Sequence, residues 1–217
     1  MPAIIKTINK IKIKLKQIEI MKGLKLFTGL AALGLFMSLS LHIMAGENYK
    51  IGDKSKVTWL GKKVTGQHTG GIVLKSGELS LEKGMLTGGT FIMDMTSITC
   101  TDMEGEYADK LLGHLRSDEF FGVTKYQTSK LVITKVATST TGIITVSANL
   151  TIKGITKKVE FPVVVDERNG SVTVIGVITV NRTLYGIKYG SGSFFDDLGD
   201  KMVEDNFTLT FNLTAKS

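Results

Sequence analysis

One cysteine, Cys100, stands in the whole chain, so no internal disulfide can form and the fold must stand on packing alone. Two histidines beyond the first 45 residues, His68 and His114, and that one thiol fall short of a zinc pattern, and no metal or cofactor is expected. No Gly-x-Ser-x-Gly elbow occurs, and the Ser beside acids in "SGSFFDD" has no histidine after it, so the chain is expected not to be an enzyme. Proline is almost missing; after Pro2 only Pro162 remains, which leaves long segments free to pair as strands. Acidic residues are nearly missing from residues 1–45, where Glu19 alone faces seven lysines. That segment therefore carries +6 of the formal +7, and the high pI belongs to it rather than to a nucleic-acid-binding surface.

Residues 1–45 read as a leader. Lys22 and Lys25 precede the apolar run Leu26–Leu41, and Ala45 offers a small residue before a polar start. The expectation is a signal peptide over 21–45, cleaved near Ala45, with an uncleaved anchor as the alternative. Residues 1–20, where Ile and Leu alternate with Lys, are either a mis-called extension or a basic membrane-surface arm. Residues 46–217 form one domain by length, exported to the periplasm or secreted.

What this domain has in abundance is alternation. Phe207, Leu209, Phe211 and Leu213 share one face of a period-two run, with Thr208, Thr210 and Asn212 on the other. Ile144–Ile152, Val159–Val165, Val172–Val180 and Phe91–Met95 repeat the pattern, placing Phe161, Ile178, Phe91, Met93 and Met95 on dry faces. Strands are expected near 48–60, 62–75, 78–83, 86–98, 128–137, 142–153, 156–166, 171–182 and 204–215, with 62–83 open to being one long bent strand. Turn signals separate them, of which Asn169-Gly170 is the strongest because both residues must take positive φ. Short connections make neighbours antiparallel, and such a meander hides its edges by closing. The fold class is all-β, a single antiparallel barrel of about eight strands, about 25 Å tall for ten-residue strands tilted by about 40°.

One stretch breaks the β-pattern. Glu104, Tyr107, Leu111, Leu112 and Leu115 follow helical spacing, Asp102 is a candidate N-cap, and Gly113 predicts a short or broken helix. His114, Arg116, two acids and Phe120-Phe121 follow, as expected for a lid over an occupied barrel. His114, and with it His68, is a candidate for facing a polar head group at the mouth. One ring of each doublet, Phe120-Phe121 and Phe194-Phe195, is expected in the core. Trp59 is expected to plug one end, Arg182 to pin a loop, and the methionines to supply an adaptable surface.

Four blocks in order resemble the YceI-like family: Gly66, His68 and Gly70 in "GQHTG"; "FIMDMTSI"; "HLRSDEFF"; and "LTIKGIT" with "RTLYGIKYG". Gly122-Val123 and Tyr126-Gln127 depart from its usual pattern, which is expected to loosen one loop. The resemblance covers residues 47–216 and implies a lipocalin-like barrel holding a polyisoprenoid or other long amphipathic lipid outside the cytoplasm. The expected partners are a polyprenyl or quinone-type lipid, a membrane in transient contact and a second copy in a homodimer, without nucleic acid. The residues expected at the lipid, in the cavity or at its mouth, are Trp59, His68, Phe91, Met93, Met95, Leu112, His114, Leu115, Phe120, Phe121, Phe161, Ile178, Phe207, Leu209 and Phe211.

Overall fold

The structure, a computed structural model, describes residues 47–137 and 143–216; the leader, its cleavage point and the Thr140–Gly142 turn signal lie outside them. Nine antiparallel strands follow in chain order: β1 Glu47–Ile51, β2 Lys56–Lys63, β3 Gly66–Glu82, β4 Met85–Asp94, β5 Thr128–Ala137, β6 Ile144–Ile152, β7 Ile155–Arg168, β8 Ser171–Asn181 and β9 Asn206–Lys216. They close into an eight-stranded barrel because β1 and β2 share one position between β3 and β9. The expected strand 48–60 is thus two pieces. Gly52–Ser55 bulges out between them, with Ser55 Oγ accepting the Thr214 amide at 3.0 Å.

The reverse holds for 62–83, which is the single strand β3. Lys75-Ser76-Gly77 looks like a turn but is a bulge, where the register on β4 slips between Leu74 and Ser76. Gly77 is required there, since a Cβ would lie 2.7 Å from the Ile51 side chain. The hairpin at Asn169-Gly170 forms as expected, with φ of 52° and 71°.

The dry faces converge inside. Val146, Ala148, Leu150, Phe161, Val163, Val174, Ile178, Phe211 and Leu213 are all buried, while Thr145, Pro162, Val164, Ile175, Thr210 and Asn212 face outward. At the end where the chain passes from β3 to β4, Tyr49, Leu81, Val172 and Ala215 plug the barrel. The opposite end carries a 3-10 turn, Met95–Ser97, the helix α1, Gly105–Arg116, and the loop from Arg182 to Asp205.

The wall is not uniformly closed. Pairing of β4 with β5 runs from Asp94↔Thr128 to Thr90↔Val132 and stops. Both strands go on, Met85–Gly89 bonded only to β3 and Ile133–Ala137 only to β6. The lower halves of β4 and β5 therefore face each other without a ladder.

Candidate ligand cavity

The lumen is a cavity lined almost wholly by hydrocarbon. The space open to the centre of a water-sized sphere is about 170 Å³. β2 contributes Trp59, β4 Phe91 and Met93, β7 Phe161, β8 Ile178, and β9 Phe207, Leu209 and Phe211, each on the inward phase of its strand. Met95 enters from the 3-10 turn, and Leu115, Phe120 and Phe121 from the lid. Phe161 and Phe211 meet edge-to-face at 6.0 Å, and Phe121 and Phe207 at 6.2 Å.

Three expected residues do not line it. Leu112 is half-buried against the core. His114 turns aside: its ring meets Tyr189 at 4.2 Å and Phe120 at 5.0 Å, both edge-on, and Nε2 is buried with no partner among the described residues. The face of α1 that reaches the lumen is the Leu111–Leu115 face, and His114 is one residue, about 100°, away from it. His68 lies at the rim of β3, where Nδ1 meets Asp102 Oδ2 at 2.9 Å. Missed by sequence reasoning were Val57, Ile72, Leu74, Leu131 and Ile133; the last four stand on strands whose alternation the β3 and β5 bulges interrupt.

Asp102 is therefore not a helix cap. α1 starts from Glu104, makes no side-chain cap bond and runs unbroken through Gly113 for 12 residues. Asp102 Oδ1 instead accepts the Thr69 amide at 2.9 Å and the Cys100 thiol at 3.3 Å. Burial would raise its carboxyl, but the Thr69 amide, the His68 ring and Cys100 outweigh it and hold the group at about 2. With Ser97 Oγ accepting Val73 N–H and Thr99 Oγ1 accepting Gly71 N–H, side chains of 97–102 replace a missing strand along upper β3. Gly70 makes this approach feasible, since a Cβ there would sit 1.7 Å from the Thr99 carbonyl oxygen. Trp59 lines the lumen, and its indole N–H donates to that same carbonyl at 3.0 Å.

Arg182 pins the loop, as expected. It is 3% exposed, and its Nε, Nη1 and Nη2 donate to the carbonyls of Glu204, Ile187 and Val203 at 2.9–3.0 Å. The Asp205 carboxylate lies 3.6 Å from Nη2, and the Phe120 ring lies 5.7 Å from the guanidinium. Phe194 and Phe195 are both about half exposed, so neither ring enters the core. The 117–126 loop is tight rather than loose: Gly122 takes φ +56°, and the Lys125 and Tyr126 amides both donate to its carbonyl. Among the described residues, no group of three or more His, Cys, Asp or Glu is arranged to hold a metal ion.

A lidded antiparallel barrel with a narrow apolar lumen belongs among the small barrels built around a hollow interior. Residues 49–215 match the YceI-like domain, and the chain belongs to that family. BcnA of Burkholderia cenocepacia superposes with a TM-score of 0.63 at 22% identity, covering 75% of this chain and 97% of that one. A polyisoprenoid binding domain from Saccharophagus degradans, implicated in plant cell wall breakdown, gives 0.58 at 16%, covering 79% and 99%. At such identities the likeness is one of fold. No curated protein matches the chain.

Proposed function

We propose that the protein is an exported carrier or scavenger that holds a polyisoprenoid or other long-chain amphipathic lipid in its barrel and catalyses no reaction on it. The observation that carries this reading is the lumen, a cavity whose lining from the strands and the lid is almost wholly hydrocarbon. Each buried methylene is worth about 0.8 kcal/mol, so twenty nominally exceed about 16 kcal/mol, near the ceiling of non-covalent affinity. Ordering the chain returns much of that. The Saccharophagus degradans domain, whose description names polyisoprenoid binding, supports the ligand class. The buried polar residues of the lining are Ser129 and Arg182, and Arg182 is already satisfied, so the lumen recognises the tail and leaves the head group near the lid.

A membrane-spanning barrel would show the opposite pattern, apolar outside and polar within. Here the outward residues of β6 and β9 are Thr, Ser and Asn up to the terminal Lys216. Native mass spectrometry of the protein purified from cells, followed by organic extraction, tests the proposal. A co-purified long-chain lipid is expected; protein that emerges empty and takes up no added lipid refutes it.

A further inference from the structure

The two ends of the lumen are obstructed in different ways. Tyr49, Leu81, Val172 and Ala215 close one with their own side chains. The lid closes the other, held by Arg116 Nη2 donating to the Ile98 carbonyl and Lys153 Nζ to the Asp118 carbonyl, both at 2.8 Å. Passing through either end displaces core side chains or breaks hydrogen bonds. The seam between lower β4 and lower β5 has no backbone hydrogen bonds to break, and only side chains bar it. Its facing edges share no ladder, and Leu86, Phe91 and Ile133 beside it already line the cavity. What fills it is a side chain: the Ile133 methyl end would lie 3.3 Å from a Cβ placed on Gly89. Moving a side chain aside is a smaller and faster rearrangement than unzipping a strand. Exposed Lys135 on the bare edge discourages another chain from adding there as a strand.

We propose that this seam is a side port, through which the far end of a hydrocarbon longer than the barrel leaves the lumen between Met85–Gly89 and Ile133–Ala137. The inference rests on the lipid-binding reading. Its consequence is that the cavity does not cap the length of its ligand. In a blind tube affinity would rise with chain length and then fall; with a port it rises and levels off.

The test uses a series of fatty acids, shorter to longer than the barrel, each with a photoreactive diazirine at the methyl end. Affinity is expected to climb up to about fourfold per methylene while the tail stays inside, then to reach a plateau. On that plateau the label should cross-link to Gly88–Gly89 and Ile133–Val136. A staple supplies the second arm. Were the Thr90↔Val132 register carried on across the seam, Gly88 would stand opposite Thr134, and a Cβ at Gly88 meets nothing closer than 3.8 Å. Gly88→Cys with Thr134→Cys, in a Cys100→Ser background, should turn the plateau into a decline when oxidised and restore it when reduced. Ile133→Trp should do the same without a disulfide. Long chains that bind with their ends cross-linked only inside the lumen or at the lid, or affinity that falls beyond the barrel length in the unaltered protein, overturn the port alone. Failure of every chain length to bind overturns the lipid reading and the port with it.

Discussion

Leu209 and Thr210 are neighbours on β9 with opposite fates, which makes them a direct probe of the lumen. Leu209 lines the cavity between Trp59 and Ile178 on the flanking strands, whereas Thr210 is exposed on the outer wall. Leu209→Asn keeps the same branched heavy-atom skeleton and puts an amide among hydrocarbon groups. The protein alone loses part of a leucine's burial, about 1.5–3 kcal/mol in full, and gains a poorly satisfied amide at about 1–3 kcal/mol. Because Leu209 is only half-buried, the sum belongs at the lower end, about 2–4 kcal/mol. At this chain length that lowers Tm by roughly 5–15 °C. Bound lipid meets the same amide, and a further penalty of about 1–3 kcal/mol weakens retention by roughly 5- to 150-fold. Thr210→Asn should change stability by less than about 0.5 kcal/mol and retention not at all. Lipid per protein by native mass spectrometry, alongside thermal unfolding, reads both quantities. Equal losses from the two variants would show that β9 does not present the face assigned to it, and the lumen argument would fall.

Gly70→Ala drives a methyl into the Thr99 carbonyl and against the Trp59 ring. It should cost more than about 3 kcal/mol and red-shift the fluorescence of Trp59, the only tryptophan in the chain. The Asp102 carboxyl titrates at about 2 when folded against 3.8 as its ordinary value. A depressed value means its contribution is complete above pH 3.8 and vanishes as pH falls to 2. Asp102→Asn should therefore be less stable than the parent at pH 6, and acid titration followed by circular dichroism should show the gap closing below pH 4. Arg182→Lys keeps the charge but cannot reproduce three forked bonds to carbonyls. Limited proteolysis should then cut the Lys188–Lys201 region at least tenfold faster, while α1 stays protected.

The barrel was legible because period-two alternation survives in a strand that has one dry face. Phe207–Leu213 and Val172–Val180 show it without interruption, and both strands stand where expected. Legibility failed where one residue type serves two geometries. Lys75-Ser76-Gly77 carries turn chemistry, yet here the glycine makes room for Ile51 and the chain continues straight on. Asp102 has the composition of a helix cap, but long-range partners on β3 outcompete the local helix amides. His114 was expected to face a head group at the mouth; the structure shows its ring against Tyr189 and Phe120, a detail set by how the helix is rotated on what packs beneath it. The seam has no signature at all: Gly88-Gly89 and Ile133–Ala137 read as ordinary strand, and only the ladder's end reveals them.

Glu47 pairs with Leu81, and Lys50 pairs with Lys216. The first and last described residues thus emerge together at the plugged base, a full barrel height from α1. A linker or fusion partner joined directly at Glu47 or Lys216 would therefore sit at the plugged base and leave the lid end unobstructed.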